Sequence, residues 1–172
     1  MTLANFVTLS RLLLIPVVVW LHVGQSPGEA AVVFALAAVT DAVDGWLARS
    51  RGEISTVGKW LDPAADKLLQ ATAVILVTAS GYIPVWLAMI LIGKELALLI
   101  GGAFLLLRGR VISARPSGKI ASLFLFPGLA AGLANQSAFR FLLYVGALFS
   151  LLAGFDYLLV VIRASSDSTH AG

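Results

Sequence analysis

The chain has 172 residues, 59% of them hydrophobic and only 12% charged, with no cysteine and a net charge of +3 at pH 7. Soluble domains carry about a quarter charged residues, so this composition excludes an ordinary soluble enzyme and indicates an integral membrane protein. The lack of cysteine excludes a disulfide framework and thiolate chemistry.

About 20 apolar helical residues cross ~30 Å of hydrocarbon. Measured against that length, the chain has six spans, 6–23, 29–48, 63–80, 83–107, 118–134 and 140–162. The expected fold class is all-α, an integral membrane bundle of six transmembrane helices with a polar cavity at the cytoplasmic side. It forms a single domain over 1–163, followed by a polar tail at 164–172. The first span lacks a basic n-region, and Gln25-Ser26-Pro27 is a poor cleavage site, so it is expected to be retained as a helix.

Basic residues alternate between connectors. Arg49, Arg51 and Lys59 lie between the second and third spans, and Arg108, Arg110, Arg115 and Lys119 lie between the fourth and fifth. The connectors 22–28 and 79–84 carry none, and 134–140 ends in Arg140 alone. Loop Lys and Arg favour the cytoplasmic side, so both termini and both basic connectors are expected there, in a multi-pass protein of the inner (plasma) membrane. The same cations suit anionic headgroups, which makes membrane lipids rather than nucleic acid the expected surroundings.

Four aspartates sit where the second and third spans approach the cytoplasmic side. The run EAAVVFALAAVT precedes Asp41, and Gly52 is the first helix stop after it. Asp41 and Asp44 then share a face at i, i+3. A third helix starting near Pro63, with Asp62 as its cap, puts Asp62 and Asp66 on one face at i, i+4. Consecutive spans with a short connector tend to pair antiparallel, which brings the carboxylates to one depth. Such a cluster repels itself unless protonated or bound to cations, and hard divalent ions prefer oxygen ligands. Shared carboxylates can hold two ions ~3.5–4 Å apart, as phosphoryl chemistry uses. Gly45 and Ala48 leave either a shallow groove or a close helix contact.

The spacing D-x(2)-D-G-x(2)-A-R-x(8)-G-x(3)-D-x(3)-D is met by Asp41, Asp44, Gly45, Ala48, Arg49, Gly58, Asp62 and Asp66. In this the chain resembles the CDP-alcohol phosphotransferases, and the six-span layout extends the likeness over essentially its whole length. The resemblance implies an intramembrane enzyme, a homodimer, that moves the phosphatidyl group of a CDP-linked lipid onto an alcohol and releases CMP. It implies a pair of Mg²⁺ or Mn²⁺ ions held by Asp41, Asp44, Asp62 and Asp66, with Asp66 also the base for the acceptor hydroxyl. It further implies a CDP-lipid site that includes Gly45, Ala48, Arg49 and Gly58.

Three other elements bear on the substrates. Asn5, Thr8 and Arg11 resemble an N-x-x-T-x-x-R opening of related enzymes and follow one side of a helix toward the CDP site, although Arg11 also suits a topological role. Lys94, inside the fourth span beside Glu95, is either an acceptor-binding cation or part of a structural ion pair with Glu95 or Asp156. Lys67, Arg108, Arg110, Arg115 and Lys119 form a basic rim suited to a phosphorylated acceptor. Gly118-Lys119 with Ser122, and Ala153-Gly154-Phe155-Asp156-Tyr157, resemble elements of glycerophosphate-type relatives. The expected reaction joins CDP-diacylglycerol and glycerol 3-phosphate. The alternatives are phosphatidylglycerol as acceptor, a cardiolipin synthase, or inositol phosphate, and more remotely a divalent-cation transporter.

Overall fold

The computed structural model describes residues 3–51, 58–107 and 116–166, with side chains described for 9–40, 65–102 and 118–159. The helices are α1 (Leu3–Val23), α2 (Pro27–Arg51), α3 (Gly58–Ala79), α4 (Val85–Leu107), α5 (Pro116–Leu133) and α6 (Arg140–Ser166), with a 3-10 turn at Ser137–Phe139. Each expected span lies on one of them. α2 is described as far as Arg51, and Gly52, the expected stop, lies outside the described residues. α3 differs, because it begins at Gly58 and runs through Pro63. Proline's fixed φ is itself helical and removes only one backbone bond, so Asp62 lies within the helix and is not its cap.

Three connectors are built alike. Two residues past the ends of α1, α3 and α5 stands a residue with left-handed backbone, Gln25 (φ 67°), Gly81 (φ 70°) and Asn135 (φ 56°). The next amide then reaches back five residues, Ser26 to the Leu21 carbonyl at 3.0 Å, Tyr82 to Val77 at 2.9 Å and Gln136 to Ala131 at 2.8 Å. This is the Schellman closure, which satisfies carbonyls that a helix end would otherwise leave bare. Side chains tie the three turns together. His22 Nε2 lies 2.7 Å from Ser80 Oγ, and the Tyr82 hydroxyl donates to the Gln136 carbonyl at 2.8 Å. The Arg140 guanidinium stands 4.7 Å from the Tyr82 ring centroid. Burial pushes the Tyr82 phenol up, against the opposing pull of Arg140, so it remains a donor at neutral pH. The three connectors therefore share one end of the bundle, and the end of α2 and the start of α3 face the other.

The interior is apolar and closely filled by Val18, Phe34, Leu69, Val77, Leu91, Leu129 and Leu143, with Phe34 stacked on Phe126 at 5.9 Å. α5 and α6 pack nearly backbone to backbone. A Cβ at Gly128 would meet Leu143 N at 2.5 Å, and one at Gly146 would meet Leu125 N at 2.5 Å. Small residues permit such close approach where lipid supplies no hydrophobic drive. The α2–α3 pairing expected at the aspartate end falls largely on residues whose side chains lie outside the description. Among the described residues these helices meet only lightly, and α1 lies against both. α2 turns Ala30, Phe34 and Ala37 inward.

Apolar side chains also cover the outside, including Leu13, Trp20, Leu36, Met89, Ile100, Leu123, Leu148 and Phe155. That surface fits hydrocarbon, with the backbone polar groups satisfied inside the helices. Among the described residues, α4 carries an apolar stretch long enough to cross a membrane at Val85–Gly102, and the 3-10 turn and α6 carry another at Ser137–Leu159. Shorter apolar stretches lie at Leu9–Val23, Pro27–Thr40 and Gly118–Leu133.

Candidate active site

The backbone sets residues 41 and 44 in the C-terminal part of α2 and residues 62 and 66 in the N-terminal part of α3. Both segments belong to the end of the bundle away from the Schellman turns. Asp66 is half-buried and follows the buried Ala65. The side chains of Asp41, Asp44 and Asp62, and the surroundings of Gly45, Ala48, Arg49 and Gly58, lie outside the described residues. Among the described residues no three acidic or histidine side chains converge, since only one of the four aspartates has its side chain among them. An all-carboxylate set of this kind is a hard oxygen donor set, which suits Mg²⁺ or Mn²⁺ rather than a thiophilic metal.

α1 brings Arg11 to this region. Its side chain is only 3% exposed, on the helix that touches both α2 and α3. A guanidinium enclosed in a bundle differs from a loop arginine that only sets topology, because enclosing a charge is costly without polar or anionic surroundings. The side chains of Asn5 and Thr8, about two turns and one turn earlier, lie outside the described residues.

The lysines are arranged more specifically than a basic rim. Lys67 Nζ of α3 lies 2.7 Å from Glu95 Oε2 of α4, and Lys94 Nζ contacts Glu95 Oε1. The Lys94 ammonium thus joins Glu95, one of its two expected partners, and the same carboxylate reaches the neighbouring helix. Lys119 is exposed in the first turn of α5, while Arg108, Arg110 and Arg115 lie outside the described residues. The Ser122 hydroxyl donates to the Gly118 carbonyl at 3.1 Å, within its own helix.

A groove of about 340 Å³ runs between α4 and α6, lined by Lys94, Ala97, Gly101, Leu151, Gly154 and Tyr157. Its wall is almost wholly apolar, so it is not the polar cavity expected at the aspartate end, which falls on residues outside the description. Sequence reasoning missed the link from Glu95 to Lys67. The signal was available in the hairpin register, because Lys67 lies twelve residues before the end of α3 and Glu95 ten after the start of α4. In an antiparallel pair, those positions lie at similar depth.

The family model for CDP-alcohol phosphatidyltransferase matches residues 1–153. The chain is 31% identical to a CDP-diacylglycerol–glycerol-3-phosphate 3-phosphatidyltransferase of Bacillus subtilis, over 90% of this chain and 92% of that protein. It is 37% identical to the enzyme of the same name from Pseudomonas fluorescens, over 90% of this chain and 83% of the relative. A cardiolipin synthase (CMP-forming) of Streptomyces coelicolor is also 37% identical, but over 58% of this chain and 49% of its own length.

Proposed function

The chain belongs to the CDP-alcohol phosphatidyltransferase family, and from that membership we infer that it is a CDP-diacylglycerol–glycerol-3-phosphate 3-phosphatidyltransferase of phospholipid biosynthesis. The observation that carries this reading is the likeness to two enzymes of that activity along nine-tenths of the chain, whereas the likeness to the cardiolipin synthase is partial. It is a membrane enzyme, and its family uses divalent metal ions.

In the reaction, the acceptor hydroxyl attacks the phosphorus that carries the diacylglycerol. A new P–O bond forms, the bond to CMP breaks, and phosphatidylglycerol phosphate leaves with CMP. Two anionic phosphates must be neutralised, a weak nucleophile activated, and both held in line. Asp41, Asp44, Asp62 and Asp66 would hold Mg²⁺ or Mn²⁺, two ions in our reading, whose charge screens the diphosphate. Asp66 takes the proton from the attacking hydroxyl, a role supported by its half-buried place in α3. Arg11, with Asn5 and Thr8 along the same helix, faces the CDP end of the site, and Gly45, Ala48, Arg49 and Gly58 line it. Lys67, Lys94, Arg108, Arg110, Arg115 and Lys119 receive the acceptor phosphate. No covalent enzyme intermediate is needed, so the transfer is a single displacement. The site opens to the cytoplasm in a polar cavity, both termini lie on that side, the domain spans 1–163 with a polar tail at 164–172, and the enzyme works as a homodimer.

Purified protein given CDP-diacylglycerol and Mg²⁺ should release CMP with glycerol 3-phosphate, and far more slowly with inositol phosphate or phosphatidylglycerol. Turnover confined to phosphatidylglycerol would make it a cardiolipin synthase instead.

A further inference from the structure

Lys67 of α3, Lys94 and Glu95 of α4 and Gly154 of α6 form a continuous chain of contacts across three helices. Glu95 is 9% exposed, and its two carboxylate oxygens each take a different lysine, Lys67 at 2.7 Å and Lys94 in direct contact. Gly154 completes the set by having no side chain. A Cβ there would sit 2.9 Å from Lys94 Cδ and 3.0 Å from Cγ, in the middle of the lysine stem rather than at its mobile end. On its way to Glu95 the Lys94 stem runs through the space that α6 leaves open at Gly154.

The charges do not balance within the group. One carboxylate neutralises one ammonium, and the second leaves a surplus positive charge inside a membrane bundle, where a charge is retained when it has a partner or a function. Two ammonium groups held on the two oxygens of one carboxylate are close enough for a phosphate to bridge both through charge-assisted hydrogen bonds. The side chains differ in access, with Lys67 32% exposed and Lys94 13%. Lys67 also directly follows Asp66 in the chain, which sets the pair at the level of the proposed base.

We propose that Glu95 is a positioning residue for the acceptor: it gathers Lys67 and Lys94 into one seat for the phosphate of the acceptor alcohol, and Gly154 keeps the Lys94 stem on its path. This rests on glycerol 3-phosphate being the acceptor. A purely structural brace between α3 and α4 would affect both substrates alike, whereas a seat affects one.

The test follows CMP release by the purified full chain, with separate KM values for the two substrates. Glu95→Gln should raise KM for glycerol 3-phosphate about tenfold or more, the scale of losing a charge-assisted contact. KM for CDP-diacylglycerol should stay within about twofold, and Glu95→Asp should recover part of the loss. Gly154→Ala changes no charge and should also raise KM for glycerol 3-phosphate selectively. It carries the test by itself if the Glu95 variants do not fold. An unchanged or lower KM for glycerol 3-phosphate, or an equal rise for both substrates, overturns the seat. Wild-type turnover with phosphatidylglycerol alone overturns the acceptor reading, and the seat falls with it. Wild-type turnover with glycerol 3-phosphate and unmoved variants overturns the seat alone.

Discussion

Asp66→Asn is expected to lower kcat about 100-fold or more at saturating substrates, which is ~2.7 kcal/mol of lost transition-state stabilisation. The substitution keeps the side chain's size and removes its ability to accept a proton. An alcohol is a weak nucleophile at neutral pH, so turnover depends on a base within hydrogen-bond reach of the attacking hydroxyl. Asp66 is the only one of the four motif aspartates with a described side chain, and it sits half-buried on α3 rather than out in solvent. Because it also belongs to the proposed metal set, two effects must be separated. Loss of a ligand weakens metal binding and is recovered at higher Mg²⁺ or Mn²⁺, whereas loss of a base is not. The decisive measurement is kcat across a metal titration. A rate that returns to the wild-type level at high metal would reduce Asp66 to a ligand, and a rate near wild type throughout would remove it from both roles.

The helices were legible because each apolar run is about as long as the hydrocarbon is thick. The start of α3 was less so. Pro63 reads as a first helical residue, and only the backbone shows the helix extending back to Gly58. α1 lies against both α2 and α3, an arrangement that sequence adjacency does not encode. The left-handed backbone at Gln25 was likewise hidden, since a non-glycine residue gives little sign of positive φ, while Gly81 and Asn135 are common in that place. At the site, the aspartate spacing was readable as a motif, and Lys94 stood out as an ionisable residue inside a span. Its choice of Glu95 and the sharing of that carboxylate with Lys67 depend on how α3 and α4 are rotated about their axes. That rotation is set by packing around residues such as Leu69 and Leu91, and no single stretch of sequence contains it.

That dependence on packing makes the α5–α6 crossing the most sensitive structural point. Gly146→Val is expected to destabilise the bundle by about 3 kcal/mol or more, at or above the upper end of ordinary overpacking. At this position even a Cβ would stand 2.5 Å from Leu125 N, 2.6 Å from its Cα and 2.9 Å from the Phe124 carbonyl carbon. These are backbone atoms inside a helix, so no rotamer change relieves the clash, and α5 must move away from α6 as a unit. Gly128 faces Leu143 in the same way, with contacts of 2.5 Å and 2.6 Å, so the two glycines serve a single approach from opposite sides. Substitutions at one interface that are relieved by the same helix displacement are not additive. Gly128→Ala combined with Gly146→Ala should therefore cost less than the two separate losses added together. Gly93→Ala is the contrasting case: a Cβ there meets nothing within 4 Å, so it should leave stability unchanged or raise it slightly by restricting the unfolded chain. Unfolding midpoints of the single variants and the double variant in one detergent would check the pattern. Additive losses at Gly128 and Gly146, or a Gly146 variant as stable as Gly93→Ala, would show that the helices do not meet as closely as these distances require.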